Sequence, residues 1–143
     1  MIFSKVKFLT FFAIICSIGL APINDVFATI DNPAVTASVT DGVTFDELAG
    51  AHGITTVVIG SNTYALVASQ TDNGVQIIDI TTPGSPSATA SVTDGVGGFN
   101  TLENASDITT VVIGSNTYAL VASYGDNGVQ IIDITTPGSP SAT

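Results

Sequence analysis

The chain has 143 residues, with two Lys or Arg against twelve Asp or Glu, a net charge of -10, one Cys and one His. So acidic a chain has no basic face with which to release counterions, which excludes nucleic acid as a partner and disfavours an anionic membrane surface. The lone Cys excludes an intrachain disulfide framework, so stability must come from packing and hydrogen bonds.

The first element in chain order is a leader. Lys5 and Lys7 form a short positive segment, and Phe8 to Ala21 is almost unbroken apolar sequence. Val26-Phe27-Ala28 then supplies the small-residue pattern for cleavage before Thr29, which is the layout of a secretory signal. The competing reading is a membrane anchor, but the apolar run falls short of the ~20 residues that span a bilayer. Cys16 follows Ile15, where a lipoprotein site would want a small residue, and reads as one more apolar residue of the leader. Residues 1–28 are therefore expected to be a signal peptide, and residues 29–143 a secreted or cell-surface chain without any Lys or Arg.

The rest of the sequence nearly repeats itself. Residues 54–89 recur as residues 108–143 with two changes, Gln70 against Tyr124 and Thr71 against Gly125. A spacing of this size belongs to repeat architectures, whose units bury their apolar faces only by stacking on neighbours. Each copy holds four short runs rich in β-branched residues: residues 54–59, 63–69, 75–80 and 87–93 in the first. They are bounded by Gly60-Ser61-Asn62, Thr71-Asp72-Asn73-Gly74 and a segment with Pro83 and Pro86, which is the pattern of strands and turns. No helical periodicity of useful length appears. The fold class expected is all-β, with two units at about residues 43–95 and 96–143. Each unit is four antiparallel strands, with the small, polar fourth run at the outer edge. Such a unit describes one blade of a β-propeller.

Tyr64 to Ala68, Asn73 to Ile80, Pro83 and Pro86, with Tyr118 to Ala122, Asn127 to Ile134, Pro137 and Pro140 in the second copy, resemble the LVIVD repeat. Gln76-Ile77-Ile78-Asp79 stands where the name-giving residues would be. The resemblance implies a propeller-type fold and an exported or surface location. It implies no activity, because the matching residues are strand and turn residues.

Residues 33–42 copy residues 86–95, so they are expected to form an outer strand ahead of the first unit, available to complete the last blade of a ring. Propellers use roughly four to eight blades, and this chain holds two. Either the chain is part of a larger β-propeller, which is the favoured account, or several copies assemble one. Near-identical units also invite exchange of strands between chains.

Candidate chemical groups are few. His52, the only histidine, sits in a Gly-Ala-rich stretch and reads as a solvated turn residue; Ser106 takes its place in the second copy. Asp79 and Asp133 end the third strand and are expected to accept backbone N–H bonds in the turn. Asp72-Asn73-Gly74 and Asp126-Asn127-Gly128 could lend oxygens to calcium, but fall short of its six to eight ligands and read as hairpin turns. Asp46 and Glu47 lie in the loop before the first strand, where the second copy has Asn100 and Thr101 and an added glycine; loops of this kind line a binding face. Asn104-Ala105-Ser106 is an N-glycosylation sequon. No catalytic, cofactor-binding or metal-binding residue is assigned.

The function expected is a secreted or cell-surface β-propeller repeat protein acting as a non-catalytic binding or structural scaffold. Its partners would be a protein or glycan held by the loops, with homo-oligomerisation or further blades in reserve. Two alternatives stay open: part of a propeller enzyme (a hydrolase or lyase) whose active residues lie on other blades, and a self-assembling surface-layer β-array.

Overall fold

The computed structural model describes residues 36–143; the expected signal peptide, residues 1–28, lies outside the described residues. Eight strands follow the turn punctuation: β1 (Ala51–Ile59), β2 (Asn62–Ser69), β3 (Gly74–Asp79), β4 (Ser87–Thr93), β5 (Ala105–Ile113), β6 (Asn116–Ser123), β7 (Gly128–Asp133) and β8 (Ser141–Ala142). They form two four-stranded antiparallel sheets, β1-β2-β3-β4 and β5-β6-β7-β8, each in sequence order. These are two propeller-type blades. The β1–β2 hairpin closes through Gly60 and Ser61, with Ile59 paired to Asn62, and Gly60 takes φ +64°, where a side chain would be costly.

Alternation along each strand sends successive residues to opposite faces, and the two faces of sheet 1 have different neighbours. Leu66, Ala68, Val75, Ile77 and Val92 join one apolar core with Phe99, Leu102, Ala105, Ile108, Ala119, Val121, Ile132 and Ile134, so sheet 2 stacks on this side. Ala65, Val67 and Ile78 point the other way and pack with Val39, Phe45, Leu48 and Ile80, from the segment ahead of β1 and the residue after β3. The sheets approach most closely where β1 passes β5. A Cβ at Gly53 would lie 2.8 Å from the Asp107 Cα, so only glycine lets the two backbones come so near.

Two expectations change. Strand β1 starts at Ala51 rather than Ile54, so His52 and Gly53 belong to a strand and not to a turn; a bulge between Ala51 and Gly53 absorbs the extra residue. Residues 33–42 were expected as an outer strand, yet residues 36–42 are in no strand. The matching segment becomes β4 because it pairs with β3, from Gly74↔Thr93 to Asp79↔Ser87. Residues 36–42 meet no such open ladder among the described residues, and a strand without a partner leaves its backbone groups to water.

Candidate functional site

The loops that join the blades converge on one end of the sheets, and side-chain oxygens pin them in the same way in both copies. Asp41 Oδ1 accepts the Leu48 N–H at 3.2 Å, and Asp94 Oδ1 accepts the Leu102 N–H at 2.9 Å. Asp72 Oδ2 accepts the Ala49 N–H at 2.6 Å, and Asp126 Oδ2 accepts the Glu103 N–H at 2.8 Å. The Ser69 hydroxyl donates to the Glu47 carbonyl at 2.5 Å, and that of Ser123 to the Thr101 carbonyl at 2.8 Å. Asp72 and Asp126, considered above as calcium oxygens, are thus engaged in holding the loops. Asn73 and Asn127 sit at φ 58° and 53° in the β2–β3 and β6–β7 turns, a conformation Asn tolerates.

Every difference between the repeats lies at this end. Thr44, Asp46, Glu47, Ala49, Gly50, His52 and Gly53 correspond to Gly97, Asn100, Thr101, Glu103, Asn104, Ser106 and Asp107, with Gly98 added, and the turns differ as Gln70-Thr71 against Tyr124-Gly125. The opposite end carries Gly60-Ser61-Asn62 and residues 80–86 unchanged as Gly114-Ser115-Asn116 and residues 134–140. Along the chain the Tyr124 and loop differences are scattered; the fold gathers them at one end. Tyr124 is the exposed aromatic of the set, at 78%, beside the exposed acids Glu103 and Asp126.

Glu47 departs from the surface role its loop position implied. Its side chain is buried, with Oε1 accepting the Thr93 hydroxyl proton and Oε2 without a partner. It lies against Gly74, where a Cβ would overlap the carboxyl group. Its backbone N–H donates to Gln76 Oε1 at 3.2 Å, and Gln76 Nε2 reaches the Ala90 carbonyl at 3.0 Å. Burial pushes the Glu47 carboxyl up to about 7; nearby Asp72, Asp46 and Asp41 add to the rise and the Thr93 bond opposes it. Asp46, its neighbour, stays exposed.

His52 is exposed on β1, and its Nδ1 lies 2.7 Å from the Ser106 carbonyl of β5, a bond between blades that requires the Nδ1–H form. It also borders a groove of about 400 Å³ with Val39, Asp41, Leu48, Ile54 and Val67. Asp79 and Asp133 lie at the other end. Their Oδ1 atoms accept the N–H of Thr81 and Thr135, each at 2.8 Å, and their Oδ2 atoms accept from Asn62 and Asn116. The Thr81 and Thr135 bonds hold both carboxyls below the ordinary range. Asn104 of the sequon is half-buried at φ 53°, its N–H donated to Asn73 Oδ1. Among the described residues, no three His, Cys, Asp or Glu side chains gather to hold a metal ion.

No curated protein and no solved structure matches the chain. The LVIVD repeat model matches twice, over residues 52–94 and 105–143, the two spans that fold into the two sheets. The chain belongs to the LVIVD repeat family.

Proposed function

We propose that this protein is a secreted or cell-surface scaffold that binds a protein or glycan through the end of the blades where the two repeats differ, and that it is not an enzyme. The observation that carries the reading is the distribution of differences: two frames nearly identical in sequence carry unlike loops at one end and identical turns at the other. Rigid frames with variable, pinned loops are how repeat folds present binding surfaces. Exposed Tyr124 offers an aromatic face with little conformational entropy to lose, and the acids around it favour a neutral or cationic ligand. The sole histidine is engaged in a contact between blades rather than paired with an acid or nucleophile, which supports a non-catalytic role. The leader-like residues 1–28 support export.

The test is screening against glycan and basic-peptide arrays with the wild type, Tyr124→Ala, and a variant carrying Gln70-Thr71 in place of Tyr124-Gly125. Binding to one class that both variants lose supports the proposal. Binding that both variants retain, or none above background in either class, removes it.

A further inference from the structure

Among the described residues Glu47 is the acid that the fold buries: it is 6% exposed, and its Oε2 has no hydrogen-bond partner. A Cβ placed at Gly74 would overlap both this carboxyl group and the Val92 carbonyl oxygen, so the two groups lie close together over the first residue of β3. The charged groups that face Glu47 are Asp41 and Asp46 of its own segment and Asp72 of the β2–β3 turn, all of them acids. Strands β2, β3 and β4 present Ser69, Gln76 and Thr93, none of which titrates near neutrality. Asp94, next to Thr93, is bonded to the Leu102 N–H, and His52 of β1 to the Ser106 carbonyl. No Lys or Arg lies among residues 36–143, so a proton is what neutralises this carboxyl. Ionised in place, it would carry the cost of an unpaired buried charge.

The second repeat shows that the loop does not need an acid here. Thr101 takes the place of Glu47, with its Cγ2 2.6 Å from where a Cβ of Gly128 would stand. The Ser123 hydroxyl holds the Thr101 carbonyl as Ser69 holds that of Glu47. An uncharged side chain suffices to seat the loop on its glycine, and Glu47 adds a charge dependence that the loop carrying Thr101 lacks.

We infer that Glu47 is a pH-operated latch on the loop of residues 43–50: protonated, it keeps the loop docked on sheet 1, and on ionisation it swings into water and releases the loop. In the docked state the Oε2–H donates toward the Val92 carbonyl while Oε1 keeps the Thr93 hydroxyl, so both oxygens are satisfied. Loss of the proton sets a negative charge against that carbonyl and among three acids. The loop yields first because Val43 and Thr44 are exposed, Phe45 and Leu48 are half-buried, and opening a surface loop costs less than unfolding the sheets. As the carboxyl leaves, the Glu47 N–H parts from Gln76, its carbonyl from Ser69, and Phe45 and Leu48 from Ala65, Val67 and Ile78. Burial raises the carboxyl from 4.5 to about 7, so docking is full in acid and is lost as pH rises through about 7. The loop lies at the end of the blades assigned above to binding, but the latch itself requires no ligand.

The experiment is hydrogen exchange of the full, exported chain at about pH 5.5 and about pH 8, read by mass spectrometry on peptides covering residues 43–50 and 97–104, each rate divided by the intrinsic amide rate at that pH. Glu47 and Glu103 are the only glutamates of the sequence, so isotope labelling of the glutamate Cδ follows the carboxyl by NMR, and Glu47→Gln assigns its signal. Protection of residues 43–50 is expected to fall by about tenfold or more between the two conditions, over the range in which the Glu47 signal titrates. Residues 97–104 should keep theirs. Glu47→Gln, whose amide mimics the protonated acid, should stay protected at both. Constant protection of residues 43–50 in the wild type overturns the proposal, as does an equal loss in residues 97–104 or the same loss in Glu47→Gln.

Discussion

The Oδ1 atom of Asn73, in the β2–β3 turn of sheet 1, accepts the backbone N–H of Asn104 at 2.7 Å, at the start of the strand that opens sheet 2. One side chain thereby ties a turn of one blade to the loop of the next. Its counterpart Asn127 has no following blade among the described residues. Asn73→Gly keeps the positive φ while removing the bond, and is expected to cost about 0.5–1.5 kcal/mol. Asn127→Gly should stay within about 0.5 kcal/mol of wild type. Urea unfolding of both variants gives the comparison, and equal losses would mean the link between blades contributes nothing.

The two leucines of the repeat supply a second internal control. Leu66 is fully buried between the sheets, and its equivalent Leu120 is only half-buried on the open face of sheet 2. Leu66→Ala should cost about 2–5 kcal/mol through lost transfer energy and the cavity left behind. Leu120→Ala should cost less than half as much, read as the difference in urea midpoint.

Gly53 faces backbone rather than a movable side chain, with the Asp107 Cα 2.8 Å from any Cβ placed there. Gly53→Ala must push β1 and β5 apart, at a cost of about 1–3 kcal/mol by analogy with overpacked cores. Gly84→Ala, in open space in the β3–β4 connection, should be near neutral. Thermal melts of the two variants separate a packing effect from a general intolerance of added methyl groups.

Glu47 makes stability depend on pH. Its carboxyl is raised from 4.5 to about 7 in the folded chain, so the native state holds this proton more tightly than the unfolded state does. The contribution to stability is full below the unfolded value and is lost as pH rises through about 7. The sign is opposite for Asp79 and Asp133. Their carboxyls are lowered, so their contribution is present above the ordinary carboxylate value and is lost on acidification below it. Melting temperature is therefore expected to fall between about pH 5 and about pH 8. Glu47→Gln keeps an oxygen for the Thr93 hydroxyl and should flatten that slope; an unchanged slope would assign it to another group.

Local sequence was enough to locate the strands, because β-branched runs between Asn, Asp, Gly and Pro turns have one low-energy conformation and short hairpins bring neighbours together. The repeat itself announced two blades, and the turn roles of Asp79 and Asp133 followed from their place before the prolines. Burial was a different matter. Val75 and Val129 sit in the same local sequence, as do Leu66 and Leu120, so no reading of that sequence could tell the covered member of each pair from the open one. The same holds for residues 36–42, whose sequence matches β4 but which lack the open ladder that makes β4 a strand. His52 joined β1 because of a bulge and a bond to the Ser106 carbonyl across the blade boundary, and Glu47 turned inward because Gly74 leaves room for its carboxyl. Hydrogen-bond ladders and apolar cores are completed by what stacks alongside, so sequence determined what each blade is, and the tertiary structure decided which of its faces and edges are filled.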